Sequence, residues 1–326
     1  MMPDTEIPQQ QLNHEQGTME ATLDCIQNWR SQGQLLVEEN RLEEAEDAFR
    51  QGWLQARSQQ DWARYLILGA DLANVFHALG KFDDAVSMLG RLLALESIVE
   101  NRPRIIELQI QLGRLYLLQK RYDEATETLD YVLALAEKER LDDFLGQIYR
   151  LLGRLCLATD QLDQAEHHFK KALKCERRLN STADIVNLCS ILASLYQSQG
   201  RLSDAESMLK KSLQAGKSLG KQVAIARDLG NLGLLQQSQD RWQEAGESFE
   251  RSLAIYQAMD NCRGEADQHT NLGILRALEG ALSDAEQNLQ RAFTLYGSLE
   301  LPDQLARVTE LLINLAQLQQ PHATLH

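Results

Sequence analysis

A five-residue motif, which reads RLEEA at residues 41–45 and RYDEA at residues 121–125, recurs seven times along this chain. The copies are 40 residues apart, without any change of register. Every copy ends in an alanine, and a large apolar residue follows four positions later. The pairs are Ala45 and Phe49, Ala85 and Leu89, Ala125 and Leu129, Ala165 and Phe169, Ala205 and Leu209, Ala245 and Phe249, and Ala285 and Leu289. Because residues i and i+4 share one face of a helix, each pair predicts a helix that packs closely at the alanine and fills a groove with the larger side chain. A chain of 326 residues, which otherwise suggests two globular domains, is therefore predicted to be a row of similar helical units.

A second small residue stands twelve positions before each of these alanines. The seven small residues are Gly33, Ala73, Gly113, Gly153, Ala193, Gly233 and Gly273. A small side chain lets two helices approach at their crossing point, whereas a bulky one costs about 1–3 kcal/mol there. The spacing therefore predicts that each unit is a helical hairpin.

The residue that precedes each motif predicts where the first helix of the hairpin ends. The seven residues are Asn40, Gly80, Lys120, Asp160, Gly200, Asp240 and Gly280. All except the lysine are types that tolerate the left-handed backbone conformation found at helix ends. At the start of two second helices, Ser203 with Glu206 and Ser283 with Glu286 are predicted to form capping boxes.

These positions resemble the signature of the tetratricopeptide repeat family, and residues 26–297 carry the resemblance. In the third repeat, the matching residues are Leu112, Gly113, Tyr116, Ala125 and Leu129. The usual repeat is shorter, at about 34 residues. The longer unit is similar to a branch that includes Pins-type adaptors and bacterial scaffold and sensor proteins. The resemblance implies an all-α fold, namely a right-handed α-solenoid of seven helical hairpins plus a C-terminal capping helix.

The repeat register also predicts the domain organisation. Residues 1–19 are rich in Gln and Pro and are expected to form a disordered tail. The predicted repeats span 20–59, 60–100, 101–140, 141–180, 181–220, 221–260 and 261–300. A helix over 301–320 is expected to cover the last hairpin, since a terminal repeat needs a cap. Residues 321–326 are expected to form a second short tail.

The resemblance implies that the first helices of the hairpins line a concave groove that binds a protein or peptide partner. Arg114 and Arg154 occupy the same groove position in successive repeats, and Arg150 lies one helical turn from Arg154. Adjacent guanidinium groups bind a carboxylate through paired hydrogen bonds. An acidic peptide segment or a peptide C-terminus is therefore the expected ligand.

Both the arginines and the other groove candidates have alternative interpretations. The arginines are equally suited to pair with carboxylates of the chain itself. The candidate carboxylates are Glu107, Asp142 and Asp143. The other groove candidates are polar side chains suited to hydrogen bonding with an extended ligand or with their own neighbours. These residues are Asn74, Asn231 and Asn271, and Arg227 is a further candidate at a groove position.

Composition excludes several functional classes. With 33 basic residues against 47 acidic ones, the net charge of −14 argues against nucleic acid as a partner. The cysteines form no C-x-x-C pair and the histidines no H-E-x-x-H motif, so we predict no catalytic residues, no metal, no cofactor and no enzyme activity. No stretch approaches the roughly 18 apolar residues that cross a bilayer, and no secretory signal is present. We therefore expect a cytoplasmic protein without membrane insertion.

A non-catalytic scaffold or adaptor that binds a peptide in its groove is the predicted function. One alternative is a structural scaffold that assembles with copies of itself into a homo-oligomer. A second alternative is a regulatory sensor that responds to a peptide.

Overall fold

In the computed structural model, which describes residues 25–95 and 101–319, the chain is all helical, without a strand in those ranges. The helices are α1 (25–38), α2 (Leu42–Ser58), α3 (Trp62–Ala78), α4 (Phe82–Leu93), α5 (Arg102–Leu118), α6 (Tyr122–Lys138), α7 (Asp142–Ala158), α8 (Leu162–Arg178), α9 (Thr182–Ser198), α10 (Leu202–Leu219), α11 (Gln222–Gln237), α12 (Trp242–Ala258), α13 (Cys262–Leu278), α14 (Leu282–Ser298) and α15 (Pro302–Gln319). The predicted tails lie outside the described residues. The chain divides into two compact units, unit 1 (Met1–Ala165) and unit 2 (Glu166–His326).

In unit 1, each helix from α2 to α7 packs against the next one along the chain. The first helices of two neighbouring hairpins, α5 and α7, also contact each other. The large motif residues Phe49, Leu89 and Leu129 are at most 2% exposed, so they form the interior between the helices. This consecutive packing of hairpins is the arrangement expected of a solenoid.

Unit 2 repeats the pattern. Helices α9 to α15 pack consecutively, and the first helices α9, α11 and α13 contact one another in turn. The interior again contains the large motif residues, here Leu209, Phe249 and Leu289, each at most 2% exposed. The predicted all-α solenoid of helical hairpins is thus confirmed. None of the helices in the described ranges has the length and apolar character needed to cross a bilayer.

The helix crossings depend on the small residues that the sequence places before each motif. A Cβ atom added to Gly233 would lie 2.5 Å from Cε1 of Phe249, and one added to Gly113 would lie 2.8 Å from Cδ2 of Leu129. Heavy atoms cannot pack that closely, so the large motif residue occupies the space that the glycine leaves free. The predicted close approach of the paired helices is confirmed.

The predicted helix ends all have the left-handed backbone conformation. Their φ angles run from 57° to 79°, including 59° at Lys120, the residue type least suited to it. A second set of left-handed residues lies 20 positions further along and connects one hairpin to the next. Its members are Gln60, Arg140, Asn180, Gly220, Asp260 and Glu300. Three of these residues are glutamine, arginine and glutamate, which rarely mark left-handed turns, so the sequence gives little sign of those three turns.

The predicted capping boxes are wrong. Helix α10 begins at Leu202 with Arg201 as its N-cap, so Ser203 already lies inside the helix. Helix α14 likewise begins at Leu282. The N-cap Arg201 makes no side-chain capping hydrogen bond, and in the preceding turn the backbone N–H of Leu202 donates to the carbonyl of Gly200. Glu206 is therefore free to pair with Lys210 and with a residue of the next hairpin.

Candidate peptide-binding surfaces

The structure brings two of the predicted arginines to one cavity in unit 1. Arg114 on α5 and Arg154 on α7 line a space of about 270 Å³, together with His77 on α3. The equal position of Arg114 and Arg154 in successive repeats places them side by side, because the hairpins stack with a constant register. His77 occupies a groove position one repeat earlier, three residues after the position equivalent to Arg114.

Arg114 and Arg154 form no ion pair or hydrogen bond within the part of the chain that the structure describes. Glu107, one of the carboxylates considered as a partner, instead pairs with Arg104 at 2.6 Å. Partial burial lowers the pKa of Arg114, and the positive charges of Arg150 and Arg154 lower it further, which places Arg150 in the same electrostatic cluster. The cluster is therefore a concentration of positive charge that an external carboxylate would relieve.

The remaining walls of the arginine cavity are apolar. Leu151 is buried at the bottom, whereas Leu118 at the edge is 47% exposed. Burial lowers the pKa of His77, and the charge of Arg114 lowers it further, which favours the neutral imidazole. A neutral imidazole adds a hydrogen-bonding group without adding a third positive charge. The cavity thus suits a carboxylate that stands next to an apolar group.

Asn74 lies on a different cavity of unit 1. That space of about 460 Å³ lies between α1, α2 and α3, and its charged walls are Glu38 and Asp71. Arg30 pairs with Asp71 at 2.8 Å and compensates one of these charges. Asn74 is exposed and remains a proposed contact for a ligand backbone, but the structure does not place it in the arginine cavity.

The three remaining candidates lie in unit 2, and two of them interact with their own neighbours. The Nη2 of Arg227 donates to Oγ of Ser190 at 3.2 Å, and its Nε lies 3.4 Å from the carboxylate of Asp228. The side-chain amide of Asn271 donates to Gln268 at 3.4 Å. Asn231 is half-buried. Bonding to neighbours, the alternative left open for the asparagines, thus occurs at Asn271, and Arg227 also interacts within the chain.

Family models match most of the repeats. A model for the MalT-like TPR region matches residues 99–226, and two tetratricopeptide repeat models match residues 70–103 and 230–298. Together these ranges cover more than half of the chain. No curated protein sequence matches it significantly.

Solved structures show the same fold. BtubC from P. vanneervenii is 20% identical, with a TM-score of 0.63 over 67% of this chain and 92% of its own. A signal transduction ATPase with numerous domains from Pyrococcus horikoshii, which has a tetratricopeptide repeat sensor, is 15% identical, with a TM-score of 0.66 over 88% of this chain and 44% of its own. A Rap protein complexed with Competence and Sporulation Factor is 13% identical, with a TM-score of 0.53 over 91% of this chain and 98% of its own. The repeat register, the stacked hairpins and the family matches agree, and the chain belongs to the tetratricopeptide repeat family.

Proposed function

We propose that this chain is a non-catalytic protein-interaction scaffold that binds an acidic peptide segment of a partner protein at the arginine cavity of unit 1. The observation that carries the proposal is the pair Arg114 and Arg154, which line one cavity without a carboxylate partner among the described residues. Two guanidinium groups at one cavity present several donors to a single carboxylate.

The apolar wall favours a peptide over a free anion. A small inorganic anion gains nothing from Leu117 and Leu151, whereas a peptide side chain beside the carboxylate buries apolar surface there, at roughly 25 cal/mol per Å². In unit 1, Asn74 is proposed to bond the backbone of a longer ligand. Asn231 is proposed as a separate ligand contact of unit 2. In the same unit, Arg227 and Asn271 must first give up their internal hydrogen bonds, so they are secondary contacts.

A regulatory role is the second candidate function. It is favoured by the similarity to the Pyrococcus horikoshii protein, whose repeats are described as a sensor. Both candidates require that the chain binds another molecule through its repeats, and both therefore predict that changes in the arginine cavity weaken binding.

The test uses a fluorescein-labelled octapeptide that carries Asp and Glu on both sides of a central leucine, and measures its affinity by fluorescence anisotropy. Arg114→Glu with Arg154→Glu is expected to weaken binding at the cavity by about tenfold or more, since two attractive charges become repulsive. The matched control is Arg57→Glu with Arg91→Glu, two exposed arginines of unit 1 outside the cavity. Equal affinity of the cavity variant and the control variant would show that the arginine cavity is not the binding surface.

A further inference from the structure

Unit 2 contains a basic cavity that is lined mainly by second helices, whereas the predicted groove is lined by first helices. The space of about 580 Å³ lies between α8 and α10, the second helices of two successive hairpins, with α9 beneath it. Its basic side chains include Lys170 and Lys174 on α8 and Lys211 on α10. None of these residues occupies a groove position, because the groove positions belong to the first helices.

Three of the basic side chains around this cavity lack a carboxylate partner. Lys174, Arg177 and Lys211 form no ion pair with any residue that the structure describes. Lys170, by contrast, pairs with Glu166 at 2.6 Å. Like charges that converge on one cavity repel each other, and the repulsion is strongest where apolar walls exclude water. An anionic ligand would remove this repulsion.

The basic side chains of α8 and α10 border one space. Lys174 and Arg177 of α8 and Lys211 of α10 all line the cavity, together with Leu192 of α9. Burial raises the pKa of the Cys189 thiol on α9, Arg177 and Lys211 both oppose that increase, and Asp228 adds to it. The cavity is therefore one cluster of positive charge and not two separate surfaces.

The floor of the basic cavity is apolar. Leu173 and Leu192 lie beneath the charged rim and are 6% and 1% exposed. The phenol of Tyr196 also belongs to the floor, but its hydroxyl donates to Glu166 and the guanidinium of Arg201 lies 4.2 Å from its ring centroid. A covered ring cannot stack on a base, so the cavity lacks the aromatic platform that single-stranded nucleic acid uses. The net charge of −14 also opposes nucleic acid.

We propose that the basic cavity of unit 2 is a second protein-binding site, which takes an acidic segment of a partner protein around one large apolar side chain. The apolar side chain covers Leu173 and Leu192, and the flanking carboxylates bind Lys174, Arg177 and Lys211. The site goes beyond the proposed function, because it uses the second helices of unit 2 and does not depend on the arginine cavity. Two sites on different helices allow one chain to hold two acidic segments.

The same labelled octapeptide tests this site, with hydrogen exchange followed by mass spectrometry to locate the bound peptide. Lys174→Glu with Lys211→Glu is expected to weaken binding at the cavity by about tenfold or more and to abolish protection of α8 and α10. The matched control, Lys217→Glu with Lys221→Glu, changes the net charge equally at two exposed positions outside the cavity, and is expected to change the affinity less than about threefold.

Three outcomes would overturn the second site. The first is equal loss of affinity in the cavity and control variants, because binding is then a general charge effect. The second is unchanged binding when serine replaces the central leucine of the peptide, because the apolar floor is then not used. The third is self-association of the chain alone that sedimentation detects and Lys174→Glu with Lys211→Glu abolishes, because the occupant is then a second copy.

The two proposals fail independently. If only Arg114→Glu with Arg154→Glu removes binding, the arginine cavity is the binding surface and the second site is wrong. If only the lysine variant removes binding, the second site is supported and the arginine cavity is wrong. Circular dichroism of each variant confirms that the helices remain folded.

Discussion

The Oγ of Ser190 lies 2.8 Å from Oδ1 of Asp228, a carboxylate with no exposed surface in the interior of unit 2. Ser212 donates to the other carboxylate oxygen, so three helices meet at one buried negative charge. In unit 1, 80 residues earlier, the same three repeat positions hold buried apolar residues. They are Ile110, Val132 and Ile148. At these repeat positions, unit 2 therefore has a hydrogen-bonded polar cluster where unit 1 has buried apolar residues.

Removing the two hydroxyls should destabilise unit 2 more than removing the whole cluster. Ser190→Ala with Ser212→Ala leaves the buried carboxylate without its main donors, and is expected to lower the free energy of unfolding by about 3 kcal/mol. Adding Asp228→Leu removes the charge and restores an apolar contact, so it should recover most of that loss. Urea unfolding followed by circular dichroism measures both variants. A triple variant less stable than the double variant would contradict this explanation.

The fold was predictable because its determinants are local and repeated. The alanine of each motif, the large residue four positions later and the small residue before them fix each hairpin within one repeat. Turns such as those at Arg140 and Glu300 were not predictable, because packing of successive hairpins and not residue preference imposes their left-handed backbone.

The candidate site was predictable in part. The spacing of 40 residues was enough to place Arg114 and Arg154 together, since one register holds throughout the repeats. It did not show that Arg227 donates to Ser190 of the preceding hairpin, or that His77 joins the arginine cavity. Both depend on which side chains of neighbouring helices meet, and the sequence of one helix does not contain that information.

Two glycines of unit 2 should respond oppositely to the same substitution. Gly233→Ala forces a methyl group against the fully buried ring of Phe249 and is expected to lower the free energy of unfolding by about 1–3 kcal/mol. Gly297→Ala places the methyl group in open space within α14 and is expected to raise it by about 0.5–1 kcal/mol, since alanine favours helix. Thermal unfolding of both variants measures the difference. Equal effects would mean that close approach does not determine the crossing.

Ion pairs connect successive hairpins at a constant spacing of 35 residues. The basic residue at the N-cap of a second helix pairs with a glutamate of the preceding second helix. The pairs are Glu46 with Lys81, Glu166 with Arg201 and Glu206 with Arg241, at 2.7 Å each. This connection is not evident from the sequence, because charges 35 positions apart become neighbours only after the hairpins stack.

The carboxylates of these pairs should make unit 2 sensitive to acid. The hydrogen bond from Lys210 is the largest influence on the pKa of Glu206 and lowers it below 4.5. Burial opposes this decrease, and a hydrogen bond from Arg241 supports it. Burial alone would raise the pKa of Glu166, but hydrogen bonds from Lys170, Arg201 and Tyr196 outweigh it and lower the pKa. A carboxyl whose pKa is lower in the folded state stabilises the fold above its unfolded pKa, and loses that contribution as the pH falls through its folded pKa.

Glu166→Gln with Glu206→Gln should therefore reduce stability at pH 7 and flatten the acid side of the stability profile below about pH 4.5. The expected loss at neutral pH is about 1 kcal/mol in all, because the partners are largely exposed. Urea unfolding at several pH values measures the profile. A variant that loses stability in acid as steeply as the unchanged chain would rule out these two carboxyls as the source.

At high pH, ionisation of Tyr296 should contribute to the loss of stability of unit 2. Its hydroxyl donates to Oδ1 of Asp267 at 2.6 Å, and the ring is 3% exposed. Burial is the largest cause and the hydrogen bond to Asp267 the second, and together they raise the pKa of Tyr296 from 10.0 to about 12. Because the folded pKa exceeds the unfolded one, the protonated phenol stabilises the fold fully below about pH 10, and this contribution is lost as the pH rises towards about 12.

Tyr296→Phe removes both the hydrogen bond and the titration. The variant should be less stable than the unchanged chain at pH 7 by about 1–2 kcal/mol, and this difference should shrink between about pH 10 and 12. Asp267→Asn separates the two causes: the pKa of Tyr296 should fall but stay above 10.0, because burial is the larger cause. The ultraviolet absorbance of tyrosinate follows the titration, and urea unfolding at each pH follows the stability. The explanation would fail if the stability difference between the unchanged chain and Tyr296→Phe stayed constant up to about pH 12. The pKa of the phenol would then be no higher in the folded state than in the unfolded state.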